Sequence, residues 1–385
     1  VYKRQALSYI GTDFHLSQAA LGVVASAFFF SYSLMQIPGG WLTDKFGTKP
    51  TVIVAIIMWS VFTVLTGFAW SLVSLLVIRV LFGIGEGVFP SASLKQISEE
   101  VSYHKRSQAT SGIVSSNYVG AAVAPMLMAP IIASVGWRPT FHIMGIIGLV
   151  FVVAYIVVLR PIRQQVVNTN AKVQPKIPWS HVLTNKMIWQ FFVVVFGLSI
   201  VTKGLDTWMP TYLLQARHIN LAGVAWMVPL PSVAAGIGAI LSGLIMVGFF
   251  KNKEKWLIAI ASLLATVFMF GMYRSSSLFA VIAFEVLTYF FKSIAFSGSF
   301  AFFASLMTKR AYGSSIGIVN FGGQLAGFLA PIIIGVLVQS FGGSYSIAFL
   351  FLVFAAAIAF IVSLTLNNKD LQVSKQIALN DYETN

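Results

Sequence analysis

The sequence predicts an all-α membrane protein made of two related helix bundles. Three observations carry that prediction. Of the 385 residues, 57% are hydrophobic and only 9% are charged, whereas a soluble globular domain carries roughly 25% charged residues. The apolar residues fall in runs close to the ~20 that a helix needs to cross a bilayer. The basic residues gather in the connections between those runs, the pattern that orients a multi-pass protein. In a soluble chain the formal net charge of +14 would suggest nucleic acid. Here it fits a membrane surface, so the lipid bilayer is the expected partner and nucleic acid is not.

Eleven runs qualify, at about 19–42, 50–69, 72–97, 107–134, 139–159, 187–213, 222–249, 256–273, 277–303, 313–340 and 345–366. Helices are expected rather than strands because each run is long. In lipid each crossing must also satisfy its own backbone hydrogen bonds. Placing the loop after residue 42 in the cytoplasm and alternating thereafter sorts the loop charges. The cytoplasmic side receives sixteen: Lys45, Lys49, Lys105, Arg106, Arg160, Arg163, Lys172, Lys176, Lys186, Lys251, Lys253, Lys255, Lys309, Arg310, Lys369 and Lys375. Only Arg138, Arg217 and Arg274 fall outside. The chain is therefore expected in the plasma (inner) membrane with a cytoplasmic C-terminus.

The longest connection, about 160–186, is polar and basic, and it divides the runs into five and six. That imbalance predicts twelve helices, with the first lying largely outside this sequence. ALSYIGTDFHLS (6–17) reads as the outer end of a helix followed by a short loop. The preceding VYKRQ carries no assigned role. The expected organisation is an N-terminal bundle at 1–160, a cytoplasmic linker at 161–186, a C-terminal six-helix bundle at 187–366 and a tail at 367–385.

The two halves repeat. SGIVSSNYVGAAVAPMLMAPI (111–131) resembles IGIVNFGGQLAGFLAPIIIGV (316–336), with Pro125 matching Pro331 at an offset of 206. The same offset carries Arg79 onto Glu285 and Glu86 onto Lys292, two charged pairs with their signs exchanged. It also maps 187–213 to positions −19 to 7, in agreement with a first helix that precedes the chain. Repeated halves are a common plan for membrane carriers.

Several chemistries are disfavoured. With no cysteine there is no disulfide, thiolate metal site or cysteine nucleophile. The five histidines, His15, His104, His142, His181 and His218, have no metal-like spacing, so neither metal nor cofactor is expected. His142 reads as a packing residue. A membrane enzyme would need clustered acids or histidines at the surface, and His104, Glu99 and Glu100 form no such set. No repeated filter motif suggests a channel.

Six ionisable residues stand well inside apolar runs: Arg79, Glu86, Lys203, Asp206, Glu285 and Lys292. A charge at mid-bilayer costs several kcal/mol unless paired or hydrated, so each marks a candidate site. Seven residues are nearly two helical turns, so Arg79 shares a face with Glu86, and Glu285 with Lys292. Lys203 and Asp206, three apart, can pair. Structural ion pairing is the competing reading, chiefly for Asp206 and Glu285. Three basic groups suit an anion. Lys203 or Lys292 would meet its carboxylate, and Arg79 could rest against Glu86. Lys95, near the end of its run, is expected to snorkel.

The loop GGWLTDKFGTKP resembles the signature loop of the major facilitator superfamily, G-x-x-x-D-[RK]-x-G-x-[RK], at Gly40, Asp44, Lys45, Gly47 and Lys49. Glycines there permit a tight turn and positive φ. Asp44 could face a helix N-terminus or an Arg and latch one conformation. RVLFGIGEGVFP (79–90), GWR (136–138) and LDTWMPTYL (205–213) are similar to the anion:cation symporter family, whose members include bacterial carriers of hexuronates, glucarate and galactonate. The resemblance covers about 15–366.

The resemblance implies the major facilitator fold, with the helices bearing the six charges lining a central cavity. It implies a proton-coupling carboxylate at Glu86; the other intramembrane acids, Asp206 and Glu285, are the next candidates by position. It also implies hydroxyl-binding groups at Asn117 and Tyr118 and at Asn320 and Gln324, and amides suit a polyhydroxylated substrate because each donates and accepts. Interhelical hydrogen bonding is their alternative role. Trp208 could stack on a sugar ring or belong to an aromatic belt. Ser297, like Ser299, is a weaker candidate, since small residues also serve close packing. The resulting expectation is a monomeric symporter of a small organic anion with a coupling proton or sodium ion. The alternative is an organophosphate:phosphate antiporter, which also has WMPTYL-like residues but uses an Arg pair. Lys203 is a poorer bidentate phosphate binder than Arg. A drug exporter fits less well, because VGAAVAP (119–125) stands where G-P-x-x-G-G would be.

Overall fold

The computed structural model describes residues 6–100, 103–159, 183–306 and 309–366. Those residues form thirteen α-helices. They are α1 Leu7–Asp13, α2 Gln18–Phe46, α3 Thr48–Gly67, α4 Leu72–Glu100, α5 Tyr103–Val135, α6 Trp137–Leu159 and α7 Lys186–Thr211. After a π-helical turn at Tyr212–Ala216 come α8 Leu221–Met227, α9 Pro229–Gly248, α10 Glu254–Arg274, α11 Leu278–Leu306, α12 Lys309–Ser340 and α13 Ser346–Ser363. All eleven apolar runs are helical. Ten are long and apolar enough to span a bilayer, and α5 contains a shorter apolar stretch, Val119–Val135. The expected linker lies mostly, and the tail wholly, outside the described residues.

Two runs depart from single α-helices. The run at 222–249 breaks at Val228, between α8 and α9. Pro229 and Pro231 have no amide hydrogen to donate to the preceding turn, so the ladder cannot continue unbroken. The run at 187–213 ends in the π turn, just after Pro210. There too a proline removes a helix bond, and the wider turn takes up the mismatch.

The lipid-facing surface is visible as exposed aliphatic residues. On α6, Val150 is 64% and Val153 61% exposed; on α9, Ile240 is 70% exposed. Such a surface is untenable in water and normal in lipid.

The chain forms two compact units. The first contains α1–α6, α7 from Leu205, α8, and α12 from Gly327. Within it α2 packs on α4, and α3 on both α4 and α6. Glycines allow the closest approach: a Cβ at Gly87 would lie 2.7 Å from the Tyr32 carbonyl oxygen, and one at Gly83 2.5 Å from that of Phe28. The α2–α3 turn has Gly47 at φ +87°, a region open mainly to glycine. Its amide donates to the Thr43 carbonyl at 3.0 Å. Ser17 caps α2 by accepting from the Ala20 amide at 3.2 Å.

Arg138 ties the ends of three elements together. It donates to the Ala69 carbonyl at 2.6 Å, beyond the end of α3, and pairs with Asp13 at 2.9 Å. Its guanidinium also lies 4.4 Å from the Trp137 ring and 5.3 Å from Phe14. The Asp13 pair is substantially exposed, 38% and 45% for the two side chains, and exposed pairs contribute little. Removing Arg138 also strips the carbonyl and ring contacts. Arg138→Ala should therefore lower the melting temperature clearly, and Asp13→Asn hardly at all; a thermal melt in detergent checks both.

The second unit contains α7 up to Gly204, α9 from Leu230, α10, α11, α12 to Ala326, and α13. In it α10 packs on α11 and α13. Its core joins Phe191 and Leu198 of α7 with Phe302 and Phe303 of α11. Phe191 meets Phe302 and Phe303 edge-on, with centroids 5.7 and 5.1 Å away.

Candidate transport site

The six intramembrane charges sit on α4, α7 and α11 and on no other spanning helix. In the first unit, Arg79 is 5% exposed and its guanidinium carbon stands 5.9 Å from the buried Phe141 ring. Glu86, two turns along α4, is half-buried. It lies between Gly85, whose Cβ position meets Met58 of α3, and Gly87, which presses on α2. These contacts fix the rotation of α4, and with it the face that Arg79 and Glu86 share. Asp206, on the α7 segment of this unit, is half-buried.

In the second unit, Glu285 is 3% and Lys292 8% exposed, both on α11. The Lys292 ammonium lies 4.8 Å from the Phe296 ring, a contact that partly offsets lost hydration. Lys203 of α7 is half-buried. Its neighbour Thr202 receives a bond at its carbonyl from the Tyr289 hydroxyl, at 3.3 Å. Tyr289, buried at 4% exposure, occupies the α11 face of Glu285 and Lys292 at i, i+4 and i+7. Tyr289 thus brings the Lys203 segment against the charged face of α11. None of the six charges is without an interaction.

The polar candidates divide. Ser299 is fully buried and donates to the Ala295 carbonyl at 2.7 Å; Ser297 is half-buried. On α12, Asn320 is exposed and Gln324 half-buried. Close by, Gly323 would place a Cβ 3.3 Å from the Ser199 hydroxyl of α7. Trp208 is 3% exposed, and its Nε1 donates to the Pro331 carbonyl at 3.2 Å. The side chains of Asn117 and Tyr118 lie outside the described residues, as does that of Asp44. At the loop, Lys45 is exposed and stands 4.9 Å from the Trp41 ring and 5.4 Å from Phe46. Lys49 is half-buried, and Gly40 lies in the last turns of α2. His142 packs on Phe68, with ring centroids 4.2 Å apart. No group of three or more acids and histidines suited to a metal occurs among the described residues.

Sequence reasoning missed Tyr289 and the partner of Trp208. The signal for Tyr289 was its i+4 spacing from Glu285, inside YFFK. Nothing local points Trp208 to a carbonyl 123 residues away.

The chain is similar to several known transporters. The D-galactonate transporter of Escherichia coli O6:H1 (strain CFT073) is 28% identical over 94% of this chain and 89% of its own. The probable sulfoacetate transporter SauU of Cupriavidus necator is 28% identical, over 90% and 84%. The hexuronate transporter of Bacillus subtilis (strain 168) is 25% identical, over 90% and 86%. The solved structure of a bacterial homologue of the human lysosomal transporter Spinster, inward-facing and occupied, superposes with a TM-score of 0.80. It shares 18% identity and covers 96% of this chain and 94% of its own. The family model of the Major Facilitator Superfamily matches residues 5–277. With its spanning helices and this match, the chain belongs to the Major Facilitator Superfamily, a family of multi-pass membrane carriers rather than enzymes.

Proposed function

We propose that this carrier is a proton-coupled symporter of a sugar acid, such as a hexuronate, glucarate or galactonate. The observation that carries the reading is the confinement of the intramembrane charges to three helices, with Arg79, Glu285 and Lys292 buried. Charges are retained in a membrane interior where they do work. The galactonate, hexuronate and sulfoacetate carriers among its relatives all take small organic anions by name.

Lys292 and Lys203 would hold the carboxylate and Arg79 would complete the positive site. Asn117, Tyr118, Ser297, Asn320 and Gln324 would read the hydroxyls. Glu86 would carry the proton, with Asp206 and Glu285 as successors should it not. The two six-helix halves would rock about the site, and the Asp44 loop would latch the cytoplasmic side. On this reading the protein would sit in the plasma (inner) membrane, and the basic loops support a cytoplasmic C-terminus.

The test is uptake by the full-length protein in liposomes under an inward proton gradient, with labelled galactonate, glucarate, glucuronate and sulfoacetate supplied separately. Accumulation of one of the three sugar acids is expected. Accumulation of sulfoacetate alone would keep the anion and remove the hydroxyl-reading groups. Exchange of phosphate for a sugar phosphate, with no acid taken up, would replace symport by antiport.

A further inference from the structure

The first unit contains a contact that the transport scheme does not use. A Cβ at Gly22 of α2 would lie 2.4 Å from the Pro331 carbonyl oxygen of α12. One at Gly335 would lie 2.6 Å from the Gln18 carbonyl oxygen and 3.0 Å from the Trp208 ring. The backbones of α2 and α12 therefore touch, and the Trp208 indole is wedged beside them. Its N–H is spent on Pro331, the residue that Gly22 abuts. Two amide contacts finish the contact at one end. Gln18 donates to Gln215 at 3.1 Å, and Gln339 accepts from the Ala19 amide at 3.2 Å. That amide is among the first of α2 and has no partner inside its own helix. All of these residues belong to the first unit. Loop charge assigns their end of the helices to the outside.

We propose that Trp208 is a positioning residue, not a sugar-stacking one: it latches α7 to α12 and so holds a glycine-lined outer seal with α2 closed. The idea rests on the transport reading above for its purpose, but not for its geometry. An indole buried to 3% exposure, with its N–H on a backbone carbonyl, has its surface already committed to protein. Neutral hydrogen bonds and close backbone packing close the seal, with no ion pair among the residues named. A modest difference in anion binding between open and closed states can therefore move it.

None of the 385 residues is a cysteine, so within them only an introduced pair can react. Gln18→Cys with Gln215→Cys, in the full-length protein in membranes, is treated with a short bis-maleimide, and cross-linking is followed without substrate. Fast cross-linking is expected in the parent. Trp208→Phe keeps a ring but loses the donor, and should slow it about fivefold, the effect of one buried hydrogen bond. Gly22→Leu should slow it further. The cross-linked protein should transport nothing. The proposal is overturned if Trp208→Phe cross-links as fast as the parent, or if the cross-linked carrier still transports. Because the cross-linking rate needs no substrate, failure of the sugar-acid reading leaves this result interpretable.

Discussion

Replacing Glu86 with Gln is expected to abolish proton-driven accumulation of the anion while exchange of anion for anion continues. Gln matches the shape of a protonated Glu and cannot release a proton. The site can therefore still load and turn, but nothing links its turnover to pH. One pH unit stores about 1.4 kcal/mol, enough for a roughly tenfold accumulation when one proton moves per anion. That tenfold gradient should vanish in Glu86→Gln, measured as steady-state label inside liposomes. Counterflow of labelled against unlabelled anion should persist. Full accumulation in the variant would move the coupling proton to Asp206 or Glu285. The position of Glu86 supports the choice. It is half-buried on the face of α4 that also bears Arg79, and the glycines on either side of it hold that face in place.

The second large effect is on binding. Lys292 is 8% exposed on α11, and its ammonium is proposed to meet the substrate carboxylate. Truncating one member of a buried, hydrogen-bonded charge pair costs about 2–5 kcal/mol, tens- to thousands-fold in affinity. Lys292→Met keeps an unbranched apolar stem and removes the charge. It should weaken the anion by such a factor in a direct titration, without a matching loss of melting temperature. Lys292→Arg should recover part of the affinity, since charge returns in a wider, planar group. Unchanged affinity in Lys292→Met would shift the carboxylate to Lys203 or Arg79.

Much of the fold was legible because lipid imposes simple rules. Run length, the scarcity of charge and the placement of lysines in loops anticipated every spanning helix. Local chemistry was less so. The break at Val228 and the π turn after Thr211 follow from Pro229 and Pro210, yet composition alone read each run as continuous. Gly47 adopted the positive φ that the loop motif called for. The charged residues stood out because an apolar background makes them conspicuous. Their surroundings did not, since burial of Glu285 and the reach of Tyr289 to Thr202 depend on how distant helices pack. Trp208 is the clearest example. Its sequence context suited either a ligand face or an aromatic belt, while its actual partner, Pro331, is set only by tertiary contact.

The most direct test of proton-coupled anion symport is to watch the proton itself. Full-length protein is reconstituted with a pH-sensitive dye in the lumen, with no gradient imposed, and the sugar acid identified by uptake is added outside. Symport predicts acidification of the lumen that rises with anion concentration and is absent in Glu86→Gln. Labelled anion entering with no change in luminal pH, or only when sodium is present, would contradict it.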